Sequence, residues 1–151
     1  MQTTSRFALE SHAGPYEKWP LRSRVIVDGE PSPTVIPGYC LLHQFKIPGG
    51  YLLITDYDCP FEEATSFVLL GFSSELLSHR TLGVPYGSFN LEQIDWMDEM
   101  TAEVVFWEND RWLLTLRPWG IPFLRPRIHL RRIHETTLKC DVTSGQTKES
   151  H

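Results

Sequence analysis

The chain has 151 residues, 41% of them hydrophobic and 22% charged, with a formal net charge of −5. That length holds one sizeable core but not two ordinary domains. The negative charge sets the chain against general nucleic-acid or acidic-membrane binding, both of which need a basic surface. No run approaches the ~20 apolar residues that span a bilayer.

Residues 1–20 carry too little pattern to assign, 21–143 read as a single β domain, and 144–151 form a polar, flexible tail. Segments 24–27 and 34–36 flank Asp28-Gly29-Glu30-Pro31 and predict a proline-edged hairpin. Residues 39–47 alternate, with Tyr39, Leu41, Phe45 and Ile47 on one face and His43 among them. Pro48-Gly49-Gly50 supplies a turn into a partner strand at 51–57. Further strands are expected at 65–72 and 75–82 around Gly71-Phe72-Ser73-Ser74.

Gly83-Val84-Pro85-Tyr86-Gly87 breaks the pattern. Residues 88–96 read as a weaker strand, although 92–100 is the one place that would suit a short helix. The clearest hairpin joins 102–107 to 111–117 through Glu108-Asn109-Asp110, with Val104, Phe106, Trp112, Leu114 and Leu116 on one buried face. The segment 118–126 holds three prolines, which lack ladder donors, so it is neither helix nor central strand. A last strand is expected at 127–133. Strands at hairpin spacing with almost no helical period predict an all-β chain, an antiparallel barrel or two-sheet sandwich.

Charge is segregated along the chain. Residues 51–110 hold 12 of the 19 acidic residues and one basic residue, Arg80. Residues 111–134 hold six arginines and no acid. Opposite blocks in a small domain either pair across the fold or make a two-faced surface. The octet Asp56-Tyr57-Asp58-Cys59-Pro60-Phe61-Glu62-Glu63 concentrates the acidic side between two apolar strands. Alternation places Asp56 with Leu52 and Ile54. If that face is the core, Asp56 needs a buried partner, and an arginine from 117–132 would supply it.

The octet could also offer oxygens to a hard cation through Asp56, Asp58, Glu62 and Glu63. It lacks the glycine and the final glutamate of a calcium loop, and Cys59 alone is too few soft ligands for zinc. No metal or other cofactor is expected. As catalytic groups the chain offers Asp56, Asp58, Cys59 and His43, with His43 or His79 able to serve Cys59 as base. His43 reads more simply as a hydrogen-bonded core residue. No G-x-S-x-G, P-loop, H-E-x-x-H or dinucleotide fingerprint is present. Three widely spaced cysteines, Cys40, Cys59 and Cys140, suggest reduced thiols in a cytoplasmic protein.

Arg117, Trp119, Phe123, Arg125 and Arg127 combine guanidinium forks and aromatics on a proline-rigid loop, the composition of a protein–protein hot spot. The expected function is therefore a small non-enzymatic binding module, immunity- or adaptor-like, that recognises a protein partner through segregated acidic and arginine/aromatic surfaces. The competing reading is a barrel that binds a small anionic ligand. It would use Arg117, Arg125 or Arg127 as anchors and Asp56 or Asp58 as the base of a hydrolase.

Overall fold

Short apolar runs punctuated by glycine and proline fold into strands throughout the computed structural model, which describes residues 1–57, 64–83, 89–119 and 126–133. In chain order these are β1 (Gln2–Thr3), β2 (Phe7–Leu9), β3 (Arg22–Val27), β4 (Glu30–Pro37), β5 (Cys40–Ile47) and β6 (Gly50–Asp56). They continue as β7 (Thr65–Leu70), β8 (Leu76–Leu82), β9 (Leu91–Trp96), β10 (Thr101–Phe106), β11 (Asp110–Leu116) and β12 (Ile128–Arg132). All pairings are antiparallel, in three sheets ordered β1-β5-β6-β7-β8, β12-β11-β10-β9 and β2-β3-β4.

The five-stranded sheet lies between the other two. Phe45, Ile47, Leu52, Ile54, Phe67 and Leu69 on one of its faces pack with Val104, Phe106, Leu114, Leu116, Ile128 and Leu130 of the four-stranded sheet. Tyr51, Leu53, Val68 and Leu70 on the other face pack with Phe7, Val25 and Ile36 of the three-stranded sheet. An antiparallel strand commonly buries one face and wets the other. β6 and β7 bury both, which is why their sequences are continuously apolar rather than alternating. Leu52, Leu53 and Ile54 are each 0% exposed, so each contributes about 1.5–3 kcal/mol by burial. The sandwich expectation holds with a third sheet added, and among the described residues no sheet closes into a barrel.

Turn chemistry sets the hairpins. Asp28 and Gly29 both take positive φ (51° and 85°), the conformation of the two-residue turn that matches strand twist. β5 departs from simple alternation through a bulge between Leu41 and His43. One extra residue reverses the phase, so Leu41 packs on the second core while Phe45 and Ile47 enter the first. Residues 91–96 form a strand and not a helix, since pairing with β10 sets Ile94 opposite Val104 and Trp96 opposite Ala102. The first 20 residues lacked pattern because their strands are two and three residues long. Among the described residues, no helix is long and apolar enough to cross a membrane.

Candidate functional site

Following β6 from its first residue to its last leads from one end of the central sheet to the other. Seven residues at ~3.3 Å each span roughly 20 Å. The arginine segment lies at the Gly49–Gly50 end. A Cβ built on Gly49 would come within 2.9 Å of Pro118 Cγ and of Trp119 Cε3, so the chain leaving β11 crosses directly over this turn. Arg117 Nη1 donates to the Pro126 carbonyl at 3.4 Å, and Arg127 Nη1 donates back to the Pro118 carbonyl. The Arg117 amide also donates to the Arg127 carbonyl at 2.7 Å. These bonds close the base of the loop and leave Trp119 61% exposed above a buried Pro118. Phe72, 56% exposed, stands at the same end against Tyr51.

Asp56 lies at the opposite end, half-buried, opposite Cys40 on one side and Thr65 on the other. Arg117 and Arg127 are therefore at the other end of β6 from Asp56, while Arg125, a further candidate for the expected pairing, lies outside the described residues. Arg111 pairs with Glu103, Arg132 forks onto Asp110 at 3.0 and 3.2 Å, and Arg117 and Arg127 hold carbonyls. Arg111 and Arg132 are answered by acids on their own sheet, and Arg117 and Arg127 by backbone, because β10 and β11 carry Glu103 and Asp110 beside the first two. Asp58, Cys59, Glu62, Glu63, Phe123 and Arg125 lie outside the described residues. Asp56 and the two described arginine anchors, Arg117 and Arg127, do not share a site.

His43 is exposed rather than buried in the core. The bulge brings it to the uncovered part of β5, where its ring stacks on Phe45 with centroids 5.8 Å apart. Partial burial against that ring disfavours the imidazolium and lowers the His43 pKa from its ordinary value. Arg6, near the Gly49 end, forks onto Asp28 (3.2 and 2.8 Å) and also donates to the Tyr51 hydroxyl. The Asp28 bond comes first in raising the Arg6 pKa, and in return it holds Asp28 below the usual carboxylate range. Among the described residues no group of three or more His, Cys, Asp or Glu side chains is placed to hold a metal.

The Asp56 end carries a feature the sequence pattern did not reveal. His12, Tyr16, Trp19, Tyr39 and Tyr57 form a connected aromatic cluster with centroid separations of 5.1–5.8 Å. Three of them come from the segment before β3, two from the ends of β5 and β6. Several of their polar atoms hold backbone carbonyls. Trp19 Nε1 donates to Gly14 O (3.1 Å), Tyr57 Oη to Leu21 O (3.1 Å) and Tyr16 Oη to Tyr57 O (3.3 Å). Ser23 Oγ donates to Gly38 O at 2.6 Å, so the His12 Nε2 contact with Ser23 Oγ at 2.8 Å carries the proton on nitrogen. Ser23 is 0% exposed and spends its proton on a carbonyl, which makes this pair a structural latch and not a nucleophile with its base.

Comparison with protein-family models, with curated proteins and with solved structures finds no match.

Proposed function

We propose that the protein is a non-enzymatic binding module that recognises a protein partner through its arginine–tryptophan end. The carrying observation is Trp119. A large aromatic side chain is held 61% exposed on a base fixed by Pro118 packing over Gly49 and by two guanidinium–carbonyl bonds. The exposed part of the ring gains nothing for the fold, whereas tryptophan beside arginine is the composition that dominates interface energetics. Fixing the loop base lowers the ordering cost that binding would incur. The distance between Asp56 and the two described arginines supports two independent surfaces, and it weighs against a hydrolase or anion pocket that needs both groups together.

The test is affinity capture from cells that express the protein, with wild type, Trp119→Ala and Tyr16→Ala immobilised in parallel. A specific partner is expected on wild type and on Tyr16→Ala, with the affinity of the purified pair weakened about 30-fold or more by Trp119→Ala. Equal retention of every captured protein by wild type and Trp119→Ala would remove the proposal.

A further inference from the structure

We propose that the outer face of the four-stranded sheet is a dimer interface, and that its occupant is a second copy of the chain. This face is separate from the Trp119 loop and stands independently of the reading given to that loop.

The strand register lays out the face row by row. Ala102, Val104, Leu114, Ile128 and Leu130 belong to the first core, and Ile94 and Trp96 pack against it. Alternation therefore sends Asp95, Glu103, Leu113 and Arg131 to the other side of the sheet. These four are direct cross-strand neighbours. Asp95 lies opposite Glu103, Glu103 opposite Leu113, and Leu113 opposite Arg131. Two residues along, the next row runs Thr101–Thr115–His129 and adds no acid. Among the described residues no strand packs on this face.

Charge divides the face. Glu103 is answered by Arg111. Asp95 and Arg131 are both exposed, and neither forms an ion pair among the described residues. Asp95 accepts a hydrogen bond from the Gln93 amide, which leaves its charge uncompensated. Three strand spacings of ~4.8 Å put the two residues roughly 14 Å apart, too far to pair within one chain. An unanswered anion thus marks the β9 edge and an unanswered cation the β12 edge. The half-buried Leu113 lies between them.

This arrangement is complementary to itself under one symmetry. Twisted sheets stack with strand directions within about 30° of each other, so a two-fold axis between two copies runs nearly along the strands or nearly across them. An axis across the strands sets β9 on β9 and β12 on β12, like charge on like. An axis along the strands sets β9 of each copy on β12 of the other. Asp95 of each copy then faces Arg131 of the other, and Leu113 meets the Glu103–Arg111 pair, whose charges already cancel. Stacked sheets lie about 10 Å apart, a gap that an arginine and an aspartate side chain bridge between them. Four strands of about six residues make a face roughly 19 by 20 Å. That is at the low end for a specific interface, so the dimer is weak and salt-sensitive.

The experiment is sedimentation of the full-length protein from about 10 µM to about 1 mM. It compares wild type, Arg131→Glu, Asp95→Arg and an equimolar mixture of the two variants. Wild type is expected to dimerise, and to do so more weakly as salt rises. Each variant alone should associate at least about 10-fold more weakly, because the reversal turns both ion pairs into like-charge contacts. The mixture should regain wild-type association as a heterodimer, since each variant supplies the charge the other lacks. Variants that associate as strongly as wild type overturn the proposal, as does a mixture of folded variants that stays monomeric. A wild type that is monomeric throughout also overturns it and leaves the face to a different protein. The wild-type and salt measurements need no substitution, so a dimer indifferent to salt counts against the proposal even if a variant fails to fold.

Discussion

Replacing Gly50 with alanine tests the central sheet where it has least room. The added Cβ would lie 2.0 Å from the Leu70 carbonyl oxygen and 3.1 Å from its carbon. Both are backbone atoms of the paired strand, so no side chain can rotate away. Clearing a carbon–oxygen clash requires β6 and β7 to part by about 1 Å or more at the Tyr51–Leu70 register. Forced expansion of a packed core costs about 1–3 kcal/mol, and each ladder hydrogen bond broken adds about 0.5–1.5 kcal/mol. Gly50→Ala should therefore destabilise by about 2–5 kcal/mol. Gly29→Ala is the control, since its Cβ meets nothing within 4 Å and only the positive φ of 85° opposes it. That strain is about 1–2 kcal/mol, partly offset by the lower entropy of the unfolded alanine chain. Urea unfolding with a shared slope gives both values. If Gly50→Ala proves no more destabilising than Gly29→Ala, the β6–β7 register is wrong and the three-layer core falls with it.

Burial on both faces of β6 makes Leu52→Ala and Leu53→Ala each cost about 2–5 kcal/mol in unfolding experiments, whereas a two-layer sandwich would spare one of the two. His43, with its pKa lowered from 6.5, binds fewer protons folded than unfolded. Its contribution to stability is complete above that value and is lost as pH falls toward the folded pKa, so His43→Gln should flatten the loss of stability as pH falls below 6.5. Asp28, held below its ordinary 3.8 by Arg6, contributes above that value and loses its contribution as pH falls through the folded pKa. Asp28→Asn should therefore flatten the acid limb of the stability profile, and an unchanged limb would separate Asp28 from Arg6.

The hairpins were legible because their chemistry is local. Asp28-Gly29 and Pro48-Gly49 dictate turns, and Val104, Phe106, Leu114 and Leu116 repeat with period two on one face. The bulge after Leu41 was not legible, since an inserted residue changes phase without changing composition. It sent Leu41 and Phe45 to different cores and left His43 exposed. Of the third sheet the β3–β4 hairpin was legible, but β2, three residues long with Phe7 as its one buried residue, was too short to show a period. The aromatic cluster was invisible for a related reason. His12, Tyr16 and Trp19 sit in a segment with no strand pattern and meet Tyr39 and Tyr57 only once β3 pairs with β4. The charge blocks stood out in the sequence, but composition does not encode where each arginine goes: Arg117 and Arg127 reach the Gly49 end because the chain leaving β11 crosses it, whereas Arg111 and Arg132 stay with Glu103 and Asp110 on their own sheet.

The separation of the two ends is tested most directly by a double-mutant cycle on stability with Asp56→Asn and Arg117→Gln. Charges roughly 20 Å apart interact by about 0.2 kcal/mol in water, and screening over about 8 Å at physiological salt reduces that about tenfold. A coupling within about 0.3 kcal/mol of zero is expected, as for independent sites. A coupling of about 1 kcal/mol or more would place Asp56 and the arginine segment in one charge pair and contradict two separate surfaces.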